Sequence, residues 1–407
     1  MSAAASDVRW SGSGGSAAPP RVALQSVPYW LPLTSTWLFA QVKHLPAARV
    51  ESRVVCDGVE NLDQFAWPAI EQRKQRGAKR SFWQAWREPS WTRFVVDAAR
   101  RAGAALIHSH WGDHACRDVE AAREAGLAHV ATFYGKDVNF LPRQKPKWLA
   151  RYREMFAAVD RVLCEGPHMG RCLVALGCPE AKVTVHHLGV DVDAIAFRPR
   201  TWDGGALRFL IAGSFREKKG FPDALDAIGE FQRGHRDVEI TIIGDASADP
   251  RSHPEKERIL AALERHGLRE KTRLLGYQPH RVFFEEAGRA HLFVSPSVTA
   301  ADGDTEGGAP VSLIEMAASG LPIVSSTHCD IPSVVRHGET GLLAGERDVP
   351  GLVRHLRWFA ENPSRWEAMV TAGRRHVEAE YHVARQGERL AGVYEAAIAA
   401  RMARSGA

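Results

Sequence analysis

Short apolar runs alternate with helical patterns along this chain, and the alternation occurs twice. Strands that alternate with helices predict a parallel sheet covered by helices on both faces. The expected strands of the first set are Arg21–Val27, Val50–Cys56, Ala104–His108, His129–Phe133, Arg161–Cys164 and Lys182–His187. Those of the second set are Leu207–Ala212, Val238–Ile243, Thr272–Leu275, His291–Ser295, Leu321–Ser325 and Gly341–Ala344. The chain therefore predicts an α/β protein in which two doubly wound, Rossmann-like domains face a central cleft.

The length of 407 residues also favours two domains, because a single hydrophobic core rarely grows that large. The segment Asp193–Gly205, which contains Pro199 and ends in two glycines, is the expected linker. We expect a disordered tail over 1–20, a first domain over 21–197, a second over 198–375, and C-terminal helices over 376–407 that pack back on the first domain.

The amino-acid composition of the chain excludes some classes of protein function. The net charge of +5 and the pI near 8.9 suit a phosphate-bearing ligand or an anionic membrane surface, but fall short of a dedicated nucleic-acid binder. The six cysteines are scattered without a Cys-x-x-Cys pair, which argues against a zinc site or a disulfide framework. Met1–Pro20 lacks the apolar core of a signal peptide, and no apolar run reaches about 18 residues, so we expect a cytoplasmic protein.

The stretch Thr305–Ser326 combines a loop, a helix and a buried strand. An acidic residue followed by two glycines, Glu306–Gly308, opens a loop whose backbone N–H groups a ligand could approach. Pro310 suits the first turn of the helix, after which apolar positions recur at helical spacing. One carboxylate, Glu315, lies among those apolar positions. Because a buried carboxylate is costly unless it is paired, we expect Glu315 to have a partner.

A basic loop, Gly213–Gly220, follows the first strand of the second set and precedes a helix. It carries Arg216, Lys218 and Lys219, so a strand end, three cations and a helix N-terminus would meet at one place. This combination is typical of a phosphate clamp, and a solvated basic turn is the alternative. The presence of the Glu306–Gly308 loop in the same domain favours the clamp.

Two loops of the first domain are expected to line the cleft. His108–His110 ends a strand and suggests a metal site, but such a site needs further ligands from a barrel that this pattern does not predict. We therefore prefer a polar cleft wall there. Thr132–Asp137 ends another strand with a glycine and two charges, and a plain strand-to-helix turn is an equal alternative.

The segment Ile70–Trp91 interleaves cations such as Arg73 with aromatic residues such as Trp83 and Trp86. Cations beside indoles are typical of a helix lying on an anionic membrane. A solvated basic helix whose tryptophans pack on the domain is an equal alternative.

Together these motifs resemble the retaining glycosyltransferases of family 4, the group 1 glycosyltransferases, which have the GT-B fold. Glu306-Gly307-Gly308…Glu315 is similar to their Glu-x7-Glu motif, Gly213…Lys219-Gly220 to their phosphate loop, and Gly189-Val190-Asp191 to their interdomain signature. Leu31–Trp37 and Phe133–Asp137 resemble the branch that builds exopolysaccharides of the colanic-acid kind. The resemblance covers nearly the whole chain after Arg21 and implies that 21–197 is an acceptor domain and 198–375 a nucleotide-sugar donor domain.

The resemblance implies roles for individual residues. Lys219, helped by Arg216, would hold the donor diphosphate, Glu315 would accept hydrogen bonds from the nucleotide ribose, and Glu306 would contact the donor sugar. The catalytic candidates are therefore Glu306, Lys219 and Arg216. The donor-binding candidates are Gly213, Ser214, Glu315, Gly307, Gly308, Ala309, Pro310 and Val311. The acceptor-side candidates are Tyr134, Asp137 and His110.

The chain departs from the family pattern at three places. The two glutamates are nine positions apart where the family usually has eight. Ser214 stands where the family usually has arginine, which leaves Arg216 as a displaced substitute. Tyr134 replaces the histidine that usually precedes Gly-x-Asp.

The resemblance implies transfer of a sugar from a UDP- or GDP-sugar to an acceptor hydroxyl with retention of configuration, in exopolysaccharide or other cell-surface glycan assembly. It implies no metal and no other cofactor. A glycan or lipid-linked saccharide is the expected acceptor, with peripheral contact to an anionic inner-membrane face as a hypothesis, and no nucleic acid is expected as a partner. The alternatives are a nucleotide-sugar epimerase, which would release free sugar or epimer from donor alone, and a binding relative that holds donor without turnover.

Overall fold

The computed structural model describes residues 19–32, 35–73, 90–234 and 237–405. Its first sheet contains β1 Arg21–Trp30, β2 Val50–Val59, β3 Ile70–Gln72, β4 Leu106–His110, β5 Ala128–Thr132, β6 Arg161–Cys164 and β7 Val183–Val185. The strands lie in the order β3-β2-β1-β4-β5-β6-β7, and neighbouring strands are parallel. Strand β3 was not expected from the sequence, because its three partly exposed residues form no apolar run.

The second sheet contains β8 Leu207–Ala212, β9 Val238–Ile243, β10 Thr272–Leu274, β11 Leu292–Ser295, β12 Ile323–Ser326 and β13 Leu342–Ala344. Its order is β10-β9-β8-β11-β12-β13, again parallel. In both sheets the strand order reverses beside the first strand, between β1 and β4 and between β8 and β11. Ligands of such sheets bind outside the carboxyl ends of the strands at this point. The predicted α/β fold with two Rossmann-like halves is confirmed.

Helices connect and cover the strands. Within the described ranges they are Thr36–His44, Trp91–Ala102, Gly112–Glu124, Leu141–Gln144, Lys147–Ala158, Pro167–Ala175, Phe221–Gln232, Ser252–Arg265, His280–Arg289, Val311–Ser319, Ile331–Val334, Val349–Glu361, Trp366–Glu380 and Val383–Ser405. Several of them begin just after a strand ends, which points their N-termini toward the same edge as the cleft.

The last helix crosses from the second sheet to the first. Leu390, Tyr394 and Ala397 on Val383–Ser405 are buried against the first sheet, in a cluster that includes Ala23 and Val130. Burial of each large apolar side chain stabilises the fold by about 1.5–3 kcal/mol. The C-terminal helix therefore packs on the first sheet and stabilises it.

The structure also bears on the basic aromatic segment Ile70–Trp91. Its start is the strand β3, so the prediction of a helix is wrong for Ile70–Gln72. Trp91 at its end is buried, and its Nε1 donates to Asp118 Oδ1 at 2.6 Å, which excludes it from a membrane-facing surface. The intervening 74–89 lie outside the described residues. In the part of the chain that the structure describes, no helix is both long enough and apolar enough to span a bilayer.

Candidate functional site

A cavity of about 660 Å³ lies between the two sheets, at the carboxyl ends of their strands. The three catalytic candidates Glu306, Lys219 and Arg216 line it. So do other candidates, namely Gly213, Ser214, Ala309, Pro310, Val311, Glu315 and Tyr134. The candidates Gly307, Gly308, His110 and Asp137 are instead buried behind its wall. The nine-residue spacing of the two glutamates thus leaves both carboxylates in one cavity.

Glu306 lies between two lysines of the basic loop. Lys219 Nζ is 2.9 Å from Oε1 and 3.0 Å from Oε2 of Glu306, and Lys218 Nζ is 3.8 Å from Oε2. Ser297 Oγ donates to Oε1 at 2.9 Å. Burial alone would raise the pKa of Glu306, but the charges of Lys219 and Lys218 hold the pKa at about 2. The carboxylate is therefore ionised at any working pH.

The basic loop is shaped by a glycine at its end. Gly220 has φ of 65°, and a Cβ there would lie 2.0 Å from Pro296 O. Only glycine fits this left-handed conformation and close approach without strain. The chain can therefore turn from the short 3-10 helix Glu217–Lys219 directly into the helix Phe221–Gln232, with Lys219 facing the cavity.

Arg216 reaches the cavity with its charge already paired. Its Nη1 donates to Asp249 Oδ2 at 2.9 Å and its Nη2 donates to Asp304. Lys218, which the sequence did not single out as a site residue, is the second cation beside Glu306. The sequence could not rank these cations, because their partners lie in loops that are distant along the chain.

Glu315 has the partner that its burial demands. It lies on the helix Val311–Ser319, and its Oε1 is 2.8 Å from His280 Nε2. The hydrogen bond that His280 donates to Glu315 raises the pKa of His280, while burial acts in the opposite direction. His280 lines the cavity at the start of the helix His280–Arg289 and was missed from the sequence, because it is remote from the motif.

This pair predicts a pH dependence of stability. A histidine whose pKa is raised on folding stabilises the protein below the unfolded value, about 6.5, and the contribution is lost as the pH rises through the folded value. The difference in Tm between wild type and His280→Asn should therefore be largest below about pH 6.5 and shrink above it. Thermal unfolding from acid to alkaline pH checks this, with the exposed His253→Asn as control. A Tm difference between wild type and His280→Asn that does not change with pH would contradict the pairing of His280 with Glu315.

Loops from the two halves of the chain are in close contact beneath the cavity, because the glycines there lack a Cβ. A Cβ on Gly135, whose φ is 107°, would lie 2.6 Å from Glu306 O, and a Cβ on Gly307 would lie 2.2 Å from Gly135 Cα. A Cβ on Gly308 would lie 2.0 Å from Glu165 Oε2. The glycines after Glu306 are thus required by packing between the halves, in addition to any ligand.

Gly135→Ala should therefore open this contact. We expect the free energy of unfolding to fall by about 2–4 kcal/mol, since about 1 comes from the positive φ and about 1–3 from overlap. Gly103→Ala is a matched control, because Gly103 has φ of 60° and open space around its Cβ position, so that about 1 kcal/mol is expected. Urea unfolding measures both. Equal losses of unfolding free energy in the two variants would contradict the expected overlap at Gly135.

The acceptor-side candidates divide between the surface and the interior. Tyr134 lines the cavity, and its hydroxyl lies 2.6 Å from Nδ1 of the fully buried His110. Burial lowers the pKa of His110 to about 3, and burial raises the pKa of Asp137 to about 7 although backbone N–H groups bond its carboxylate. The expectation of a polar cleft wall at His108–His110 is wrong. Strand β4 is a central strand covered on both faces, so these side chains pack inside the domain.

Several further side chains line the cavity without having been predicted. They are Ser35, Trp37, Trp111, Glu165, Leu188, Tyr277, Gln278 and Phe283. Two of them had a sequence signal, since Trp37 ends the Leu31–Trp37 motif and Trp111 directly follows β4. Among the residues that the structure describes, no group of three or more His, Cys, Asp or Glu is arranged to hold a metal ion.

Two Rossmann-like halves with a cationic loop and two glutamates in one cleft match the arrangement that the resemblance to GT-B glycosyltransferases implies. Residues 194–376 match the family "Glycosyl transferases group 1" and residues 34–194 match "Glycosyltransferase Family 4". The chain is 30% identical over 294 residues to the amylovoran biosynthesis glycosyltransferase AmsK of Erwinia amylovora, a match that covers 71% of this chain and 69% of AmsK. The chain belongs to the group 1 glycosyltransferases.

Other known proteins are similar at lower identity. The putative colanic acid biosynthesis glycosyltransferase WcaL of Salmonella typhimurium is 28% identical over 267 residues, covering 64% of this chain and 63% of WcaL. The structure of Anabaena Alr3699/HepE in complex with UDP has a TM-score of 0.75 at 14% identity, over 92% of this chain and 99% of that one. A glycosyltransferase from Rickettsia africae has a TM-score of 0.73 at 14% identity, over 93% and 99%. These solved structures share the fold.

Proposed function

We propose that this glycosyltransferase moves a sugar from a nucleoside diphosphate sugar to an acceptor hydroxyl with retention of configuration, in the assembly of an exopolysaccharide or another cell-surface glycan. The observation that carries the proposal is the position of Lys219 beside Glu306 in the cavity that also contains Glu315. A cation for a diphosphate and a carboxylate for ribose hydroxyls then lie within reach of one ligand.

The diphosphate fits between the basic loop and a helix. Gly213, Ser214 and Lys219 line one side of the cavity, and the start of the helix Val311–Ser319 lines another. Unpaired N–H groups and the helix dipole favour an anion at that end. One oxygen of Glu315 is bonded to His280, and the other would accept hydrogen bonds from the ribose. In this arrangement His280 orients the carboxylate.

The reaction then requires stabilisation of the leaving group. As the bond from the sugar's anomeric carbon to the β-phosphate oxygen breaks, negative charge collects on the diphosphate. The anomeric carbon forms its new bond to the acceptor oxygen, whose proton passes to a phosphate oxygen on the same face of the sugar. Lys219, and Lys218 beside it, are fixed near this charge before the reaction, and such preorganised groups are each worth about 2.7–4 kcal/mol of barrier.

Relatives and structural neighbours support the type of donor and the pathway. HepE of Anabaena has been solved with UDP and with UDP-glucose, and AmsK and WcaL are named for exopolysaccharide assembly. We therefore propose a UDP- or GDP-sugar as donor, no metal or other cofactor, and no nucleic-acid partner. A lipid-linked saccharide at the cytoplasmic face of an anionic membrane is the proposed acceptor. This last point depends on the basic aromatic segment around 74–89, outside the described residues.

The donor can be identified by thermal shift with UDP-, GDP- and ADP-sugars. A donor present at 100 times its Kd should stabilise the protein by about 2.7 kcal/mol through mass action. Incubation with the stabilising donor and candidate acceptors, followed by NMR of the product's anomeric proton, then tests transfer and retention. Stabilisation by none of the donors, or a product of inverted configuration, would contradict the proposal.

A further inference from the structure

Three aromatic rings form the wall of the cavity that belongs to the first half of the chain. Trp37, Trp111 and Tyr134 follow β1, β4 and β5, which are adjacent in the sheet. The centroid distances are 4.4 Å for Trp37 and Tyr134, 5.3 Å for Trp111 and Tyr134, and 6.2 Å for Trp37 and Trp111. Each residue is partly exposed, and all three line the cavity. They are thus one continuous aromatic surface open to a ligand.

The backbone that presents Trp111 is strained. Trp111 has φ of 74° and ψ of 135°, a region that non-glycine residues rarely adopt. A strained residue of this kind persists only where its surroundings enforce it, often at a ligand site. Here the Trp111 N–H donates to Thr132 O at 2.9 Å, which ties the turn to the next strand. Trp111 is therefore held in a strained conformation at the wall of the cavity.

One buried carboxylate holds two of the ring-bearing loops together. Asp137 Oδ2 accepts from the N–H of Gly112 at 2.7 Å, directly after Trp111, and Oδ1 accepts from the N–H of Tyr134 at 3.0 Å. Glycine is needed at 112, because a Cβ would lie 2.0 Å from Phe133 Cε1. Asp137 therefore fixes the spacing of the Trp111 and Tyr134 loops and does not itself meet the ligand.

The hydroxyl of Tyr134 is fixed from below. His110 Nε2 lies 3.0 Å from Gln25 Oε1, which can only accept, so this nitrogen carries the hydrogen of the neutral ring. His110 Nδ1 is then an acceptor, and the Tyr134 hydroxyl donates to it across 2.6 Å. The tyrosine ring cannot rotate away without breaking this bond. Buried polar groups thus hold the Tyr134 ring and the backbone next to Trp111.

The second half of the chain contributes most of the charged groups of the cavity. It carries Lys219, Glu306 and Glu315, the proposed donor-binding groups. A pyranose ring has a polar edge of hydroxyls and an apolar face of C–H bonds. The partly positive C–H bonds of such a face stack on the negative face of an aromatic ring. A saccharide in the cavity would therefore meet suitable chemistry from both halves of the chain.

We propose that Trp37, Trp111 and Tyr134 form a stacking platform for a pyranose ring of the acceptor glycan, with Asp137 and His110 as positioning residues. The proposal rests on the proposed function, since it assigns the sugar on the platform to the acceptor. It selects acceptors whose reacting residue presents a flat C–H face, such as β-glucosides and β-galactosides.

Saturation-transfer difference NMR tests the platform without knowledge of the natural acceptor. The probes are methyl β-D-glucopyranoside and methyl β-D-galactopyranoside, each measured with the full chain in the presence of UDP or GDP. We expect saturation of the axial ring protons in the wild type, and affinity lowered by about threefold to tenfold in Trp111→Leu and in Trp37→Leu. Trp148→Leu is the matched control, because Trp148 lies in the first half but outside this cavity, and should bind as wild type.

Nucleotide binding separates this proposal from the proposed function. The thermal shift by UDP or GDP should be the same in wild type and Trp111→Leu, since Trp111 belongs to the first half of the chain and the phosphate loop to the second. Asp137→Asn should weaken the glycosides and leave the nucleotide shift unchanged, whereas a general loss of structure would reduce both. The platform is refuted if nucleotide stabilises the protein but the glycosides give no saturation transfer. It is also refuted if the saturation transfer is unchanged in Trp37→Leu and Trp111→Leu. If no nucleotide stabilises the wild type, the proposed function fails instead.

Discussion

Lys219→Met should lower the rate of sugar transfer by about 10²–10³ in folded protein, although loss of one partner of the buried ion pair also lowers its stability. Methionine keeps most of the side-chain volume and removes only the charge that faces Glu306 at 2.9 Å. The leaving diphosphate would then lose its nearest cation, and the loss would be greatest in the transition state. Because the contact acts on the charge that develops during reaction, kcat should fall more than KM for the donor rises.

A matched lysine serves as control for this prediction. Lys271 pairs with Asp237 at 2.7 Å on the surface and lies outside the cavity. Lys271→Met should keep wild-type turnover within about twofold, since exposed ion pairs contribute little. Nucleoside diphosphate release, measured with donor and acceptor present, gives kcat for both variants. Near-normal turnover in Lys219→Met would show that another group supports the leaving phosphate.

Glu306→Gln should separate nucleotide binding from transfer. In the free protein the carboxylate competes with phosphate for Lys219 and Lys218, and glutamine removes that competitor. We expect UDP or GDP to bind up to about tenfold more tightly, equivalent to about 1.4 kcal/mol. Transfer should nevertheless fall by about 10² or more, because the group proposed to contact the donor sugar has lost its charge.

The stability of the same variant gives a second readout. Removal of one partner from a buried ion pair typically costs about 3–5 kcal/mol, so free Glu306→Gln should unfold at lower urea than wild type. Saturating nucleotide should restore part of the loss, since phosphate replaces the missing anion. Glu255→Gln is a control, as Glu255 is buried and pairs with Arg258 at 2.7 Å on the helix Ser252–Arg265. Nucleotide that binds Glu306→Gln more weakly than wild type would contradict this account.

The two sheets could be predicted from the sequence because their strands are short apolar runs bounded by turns. Parallel strands covered on both faces are apolar throughout, and this signal does not depend on distant residues. The strand β3 lacks it, since Ile70–Gln72 is partly exposed and lies at the edge of the sheet. The candidate cleft followed from the fold, because the loops after parallel strands meet at one edge.

The partners of individual side chains could not be predicted. His280 and Glu315 are 35 positions apart, and Arg216 pairs with Asp249 and Asp304 through loops whose shapes the sequence does not reveal. The burial of His110 could not be predicted from the sequence either. His110 belongs to a central strand, so a polar residue that follows an apolar run lies in the interior and supports Tyr134 from below.

The central claim is that Lys219 and Glu315 bind one nucleoside diphosphate from two sides of the cavity. Calorimetric titration of UDP and GDP into wild type, Lys219→Met, Glu315→Gln and Lys271→Met tests it most directly. We expect one nucleotide to bind the wild type and Lys271→Met equally, and to bind Lys219→Met and Glu315→Gln about 10–100 times more weakly, as the loss of a charged hydrogen bond requires. Equal affinity of that nucleotide for all four proteins would contradict the site.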